Sequence, residues 1–385
     1  MLEKALRGDR HYWTWVAALL AVMAVGATCY LWQLREGLAI TGLSRDVTWG
    51  FYIAQFTFLV GVAASAVMVV LPYYLHDFKA FGRITVLGEF LAIAAVTMCL
   101  LFVVVDLGQP GRAFNMLLHP SPRSILFWDM VVLNGYLVLN VVITRVSLTA
   151  ERRGEAPPPW VKPVILLSIP WAIGIHTVTA FIYSGLGARP FWMTAILAPR
   201  FLASAFASGP ALLILLCLAL GRFTRFRAGE APVRALSVIV TYALLANLFF
   251  VLMEAFTAFY SGIPEHAAHF RFLFFGLEGN SSLAPFMWVA EILALGALVV
   301  LLVPSLKNRQ GLLAAAATAV IVSVWIEKGL GMVVTGFIPT PLGHIASYTP
   351  TLPELGVSAG IYALGALLVT GFYKIALSVR GEGAR

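Results

Sequence analysis

Between residues 13 and 378 the chain carries ten apolar segments, each long enough to cross a bilayer as a helix. A bilayer core takes ~20 apolar residues per helical span. The segments run over 13–34, 50–75, 84–106, 125–145, 163–186, 200–220, 234–260, 282–304, 311–335 and 354–378, and they leave little chain for anything else. In hydrocarbon every backbone N–H and C=O has to be satisfied internally, so such a chain is confined to a bundle of helices. Composition agrees: 11% of residues are charged, against about 25% in a soluble domain. The expectation is an all-α, multi-pass protein of the cell (inner) membrane, with 1–385 forming a single membrane domain.

The net charge of +8 would suit nucleic acid if the basic residues formed a patch. They gather instead at alternate segment ends, which is a topology signal, and no nucleic-acid partner is expected. On one side lie Lys4, Arg7, Arg10, Lys79, Arg83, Arg145, Arg152, Arg153, Lys162, Arg222, Arg225, Arg227, Arg234, Lys307, Arg309, Lys374, Arg380 and Arg385, which makes 18. On the other lie Arg35, Arg45, Arg112, Arg123, Arg189, Arg200 and Arg271, which makes 7. The positive-inside rule then puts both termini in the cytoplasm. The first segment is too long for a signal-peptide core and no small-x-small cleavage site follows it, so it reads as a retained span. The expected layout is two four-helix bundles, spans 2–5 and 6–9, flanked by spans 1 and 10. Residues 61–66 (GVAASA) and 202–209 (LASAFASG) form a faint echo between them, rich in the small residues that let helices approach closely.

Ionisable residues are expensive in a membrane and mark function there. Asp106 closes the third span and Asp129 lies about one turn into the fourth. His176 sits mid-span in the fifth, shortly after Pro170. Proline bends a helix and frees a carbonyl, and an imidazole titrates near neutrality, so it can pass a proton. Glu89 lies near the cytoplasmic end of the third span, Glu254 in the outer part of the seventh, Glu291 mid-span in the eighth, and Glu327 beside Lys328 in the ninth. Helix neighbours point about 100° apart, so Glu327 and Lys328 are each expected to meet a partner on another helix. For this set a structural ion-pair network competes with a proton route. Trp49, Tyr52 and Gln55 open the second span with a face suited to a planar, amphipathic head group, or to an interfacial aromatic belt. Cys29, Cys99 and Cys217 lie in apolar spans without C-x-x-C spacing and read as packing residues, not as ligands of an iron–sulfur cluster. No second mid-span His stands opposite His176 to hold a b-type haem, and no metal site is expected.

The segments Ser44-Arg-Asp-Val-Thr-Trp-Gly-Phe-Tyr-Ile-Ala-Gln-Phe-Thr-Phe-Leu-Val-Gly61, Leu71-Pro-Tyr-Tyr-Leu-His-Asp77, Phe127-Trp-Asp129, Ile175-His-Thr-Val-Thr-Ala-Phe181 and Ile326-Glu-Lys-Gly-Leu-Gly331 together resemble the NrfD-like family, the membrane subunits of the polysulfide reductase type. The likeness is greatest to its DsrP branch, found in DsrMKJOP complexes of sulfur-metabolising prokaryotes. The resemblance implies a ten-helix subunit without haem or iron–sulfur cluster of its own. It implies a site for menaquinone or another quinone near the outer face, and an extracytoplasmic ferredoxin-like iron–sulfur subunit exchanging electrons there. Cytochrome c and cytochrome b type subunits and a cytoplasmic iron–sulfur subunit would complete such a complex. The resemblance assigns Asp129 and His176 to quinone or proton handling. The head group is then expected among Tyr52, Gln55, Asp106, Trp128, Asp129 and His176. Protons would pass by Glu89, His176 and Asp129, with Glu254, Glu291, Glu327 and Lys328 as a second route or a structural network.

Two other functions compete. A secondary transporter would use broken helices and midplane charges, and Pro170 and Gly209-Pro210 point that way. A passive anchor would have no use for ionisable residues at lipid depth. Loops 107–124, 187–199, 261–281 and 337–353 mix Pro, Gly, His and aromatics, and suit short interfacial helices and a docked partner. On its own the chain is non-catalytic, or it is the quinone oxidoreductase subunit of a larger complex.

Overall fold

The computed structural model describes residues 8–381. Lys4, Arg7 and Arg385 of the charge tally lie outside them. Among the described residues the chain forms ten helices long and apolar enough to span a membrane. They are α1 (Arg10–Glu36), α2 (Phe51–Leu75), α3 (Thr85–Asp106), α4 (Ile125–Arg153), α5 (Val161–Ser184), α6 (Leu197–Phe223), α7 (Glu230–Tyr260), α8 (Ala284–Leu302), α9 (Gln310–Thr335) and α10 (Leu352–Val379). The protein is a multi-pass membrane protein. Some helices overrun the apolar segments: α4 continues to Arg153, where Gly154 adopts φ +69° and closes it in the left-handed conformation.

An even number of spans brings the start of α1 and the end of α10 to one face, here the terminal face; the opposite side is the far face. Contacts on the terminal face agree. Arg380, just past α10, donates to Glu151 of α4 (2.7 Å), and Lys374 lies 3.1 Å over the Tyr12 ring of α1.

Helices α2 to α5 form one ring of neighbours and α6 to α9 a second. Helices α1 and α10 pair outside both, with α10 set against α3. Their pairing rests on glycine: a Cβ on Gly26 would stand 2.6 Å from Gly360 Cα, the close approach that small residues permit. The seam between the rings is made by α2 with α6 and α9, and by α5 with α6. Helix α2 is the central column, with its most apolar stretch 100% buried, as a helix hydrophobic all round should be.

Two irregularities fall on that seam. Helix α2 breaks at residues 64–66, where Ser65 Oγ donates to Gly88 O of α3 (3.3 Å). Helix α9 widens into a π-helical stretch at Trp325–Gly331, a feature frequent at functional sites.

The far face is tied by one carboxylate. Glu354 Oε2 accepts from Gly42 N (2.7 Å) and Thr351 N (2.8 Å), and Oε1 accepts from Tyr348 Oη (2.7 Å). Tyr348 Oη in turn accepts from Phe51 N (2.6 Å), the first residue of α2. Thr351 and Glu354 form a capping box at the start of α10. Between α7 and α8 a short helix, Pro264–Phe274, docks on the end of α9. There His269 Nδ1 donates to Thr335 O and Ile338 O (both 2.9 Å), while burial pulls its pKa below the ordinary value.

Candidate functional site

Helix α5 carries the polar stripe of the first ring. His176, Thr179 and Tyr183 stand at i, i+3 and i+7, on one helix face, and all are buried. Both ring nitrogens of His176 are buried without a hydrogen-bond partner among the described residues. Buried polar atoms are nearly always paired, so this imidazole keeps a donor and an acceptor free for a water or a ligand. One turn on, Thr179 Oγ1 donates to Asp129 Oδ1 of α4 (2.7 Å). One turn further, Tyr183 Oη and Thr57 Oγ1 of α2 share a 2.5 Å hydrogen bond. Toward the far face Trp49 and Trp192 each pack edge to face on Tyr183, tilted at 31° to each other, and Phe337 packs edge to face on both indoles.

Toward the terminal face the same ring holds Glu89, whose Oε2 accepts from Thr144 Oγ1 of α4 (3.1 Å). Glu89 lines a cavity of about 230 Å³, shared with Ser147, Glu151, Glu155 and Arg380. The Ser147 hydroxyl is buried and has no partner among the described residues. A water takes about 30 Å³, so the cavity has room for several beside this carboxyl group.

The residues expected around a quinone head group divide. Asp129 and His176 share the α5 stripe. Tyr52 and Gln55 lie one turn apart on α2 and face α1, α9 and α10 instead. Tyr52 Oη donates to Gln33 Oε1 of α1 (2.7 Å), and Gln33 Nε2 donates to Val105 O (2.6 Å). Gln55 Oε1 accepts from Trp325 Nε1 of α9 and Tyr362 Oη of α10 (both 2.7 Å), while its Nε2 is buried and has no partner among the described residues. Asp106 lies between the two groups, within charge range of Tyr52 and Glu354 and also of Tyr183, with Oδ1 buried and unpartnered among the described residues. Trp128 belongs to neither group: it is 47% exposed, and its indole donates to Pro122 O (2.8 Å).

The second ring is organised by Arg200. It is buried in α6, ion-paired with Glu254 of α7 and Glu327 of α9. Asn247 Nδ2 donates to the other oxygen of Glu327 (2.9 Å). Lys328 turns to the seam, donating to Phe201 O (3.4 Å) and lying 4.2 Å over the Phe201 ring. Glu327 and Lys328 thus each find a partner on another helix, as their angular separation requires. Glu291 of α8 is half-buried, within charge range of Arg200 and Glu327. Arg200, tallied at the far end of the sixth span, is buried in the bundle and drops out of the charge tally, which leaves six basic residues on the far side. Reading along the sequence missed Arg200 and Asn247, the stripe partners Thr179 and Tyr183, and the Gln55 partners Trp325 and Tyr362. Only the i, i+3, i+7 spacing on α5 offered a sequence signal for any of them.

Fold and site define a class: an integral-membrane bundle of two four-helix rings, each holding buried ionisable groups. Residues 39–337 match the family described as polysulphide reductase, NrfD, and the chain belongs to that family. Among similar curated proteins, one from Halobacterium salinarum is provisionally named as a membrane subunit of dimethyl sulfoxide reductase. It is 27% identical, over 93% of this chain and 89% of its own length. The menaquinone reductase integral membrane subunit of Nitratidesulfovibrio vulgaris is 24% identical, over 94% of this chain and 90% of its own. The Hdr-like menaquinol oxidoreductase integral membrane subunit of Archaeoglobus fulgidus is 25% identical, over 70% and 67%. Each is named as a subunit.

Proposed function

We propose that this chain, read as one NrfD-like unit over 1–385, is the quinone-interacting membrane subunit of a respiratory electron-transfer complex. It exchanges electrons between a menaquinone or similar pool and an iron–sulfur subunit of ferredoxin type docked on the far face. We take the far face as extracytoplasmic and both termini as cytoplasmic. Within the family we favour the sulfur-metabolism DsrP branch, with cytochrome c and b type subunits and a cytoplasmic iron–sulfur subunit as further partners. Two of the relatives above carry menaquinone or menaquinol in their names, which supports the quinone reading.

The observation that carries the proposal is the His176–Thr179–Asp129 stripe. Reducing a quinone takes up two electrons and two protons. The electrons have to come from partner subunits. The protons have to be delivered at the quinone oxygens, in a place that lipid keeps dry. A carboxyl group held by Thr179 and an imidazole with both nitrogens free, one turn apart on α5, are suited to hold and pass them. Gln55, with a free buried amide N–H, and Asp106 offer further polar atoms toward the far face. The test is Asp129→Asn in the intact complex. It keeps the shape and removes the acid, so assembly should survive while quinone-linked turnover falls about a hundredfold, the scale of one general acid. Normal turnover in an assembled variant would remove Asp129 from the mechanism.

A further inference from the structure

A cavity of about 1250 Å³ opens on the terminal face of the second ring, between the end of α6, the start of α7 and the start of α9. Nothing in the proposed quinone chemistry uses it. Its rim is basic: Arg222, Arg227, Arg234 and Lys307 stand against a single acid, Glu230. Arg227 is partly committed, donating to the carbonyls of Gly221 and Phe226. That contact covers the negative end of α6. Among the described residues no acidic partner pairs with Arg222, Arg234 or Lys307. Two long helices also begin here. Gly229 precedes α7 and Arg309 precedes α9, and neither start has a side-chain cap. The first N–H groups of both helices lack intrahelical partners, except at Pro232, which has none to place. Part of the lining is of opposite character, with Leu218, Val233 and Leu313 supplying an apolar wall.

We propose that this cavity binds an anionic phospholipid, its phosphate held by Arg222, Arg234 and Lys307 and its acyl chains running along the apolar wall. A phosphate anion satisfies the rim, and a basic pocket between spans is a recognised form of lipid site. The apolar wall and the volume select a lipid over free phosphate, which would leave both unused.

The test uses the full chain in a neutral detergent, followed by its thermal midpoint. Micelles doped with phosphatidylglycerol should raise the midpoint progressively with lipid concentration, as a ligand of the folded state does. Phosphatidylcholine and inorganic phosphate should not. Arg234→Gln with Lys307→Gln should weaken the apparent lipid affinity about tenfold or more. Arg152→Gln with Arg153→Gln, on the same face but outside the cavity, should leave it unchanged. An undiminished response in the first pair, or an equal loss in the second, would overturn the site. A rise with inorganic phosphate alone would reassign it to a free anion and overturn the lipid. Phospholipid retained on the purified wild type and lost from the first pair, read by mass spectrometry, supports the same conclusion without depending on the melt.

Discussion

Arg200 holds two carboxylates at membrane depth, and its removal should cost more than the pairing itself contributes. Breaking a buried pair by deleting one partner costs about 3–5 kcal/mol, because the partner charge stays behind unpaired, whereas neutralising the whole group is often nearly free. Arg200→Met should therefore lower the folded yield and thermal midpoint in detergent sharply. Adding Glu254→Gln and Glu327→Gln to it should recover most of the loss. A stable single variant, or no recovery in the triple, would show that the three side chains do not share one network. Arg200 was hard to read from sequence for a physical reason. It follows Pro199, which looks like loop, but proline is tolerated in the first turn of a helix, and α6 begins earlier, at Leu197. That shift of a few residues carries Arg200 from the interface into the bundle. Asp129 and His176 were legible because an acid or a lone imidazole in an apolar run stands out. Thr179 and Tyr183 were not, because hydroxyls satisfy themselves cheaply on many membrane helices. Glu354 escaped that reading, although Thr351-Leu-Pro-Glu354 has the spacing of the capping box the structure forms there.

The ten helices followed from hydrophobic length alone, because a bilayer leaves no alternative way to satisfy the backbone. Their irregularities did not follow. Nothing in Trp325-Ile-Glu-Lys328 announces the π-helical widening that turns Glu327 and Lys328 both inward, each about 3% exposed. The faint echo between residues 61–66 and 202–209 has a concrete meaning in space: the two stretches touch. A Cβ on Gly209 would stand 3.0 Å from Ser65 N, at the break in α2, and one on Gly61 would stand 3.3 Å from Ser208 Oγ and Lys328 Nζ. Small residues recur because the two rings meet backbone to backbone there. Gly209→Val should then drive a side chain into the α2 backbone and destabilise the protein by about 1–3 kcal/mol, the usual cost of overpacking. Gly296→Val on α8, with nothing within 4 Å of the added Cβ, should be tolerated. The check is the difference between their thermal midpoints in the same detergent. Equal midpoints would mean that the seam is looser than its geometry.

At the scale of the whole molecule, the way the bundle points governs where its protons come from. Among the described residues the basic side chains of the tally favour the terminal face 15 to 6 once Arg200 is set aside, so that face should be cytoplasmic. Reporter fusions at residues 155 and 275 should then report cytoplasm and outside respectively; a shared compartment would break the ten-span arrangement. Orientation decides the energetics of the proposed chemistry. A quinone reduced near the far face with protons from that face moves little charge across the membrane. One supplied from the cytoplasm moves its protons through most of a ~30 Å core. The first ring has groups at three depths for the second case: Glu89 beside the terminal-face cavity, His176 deeper in α5, and Asp129 one turn beyond it. Each charge moved against about 100 mV costs about 2.3 kcal/mol, so such turnover should slow as a potential builds and speed up when an uncoupler collapses it. We predict both effects for the intact complex in sealed liposomes, together with a slower rate in Glu89→Gln. If turnover builds no potential and Glu89→Gln runs at the wild-type rate, the cytoplasmic route is wrong, and Asp129 and His176 exchange protons with the far side alone.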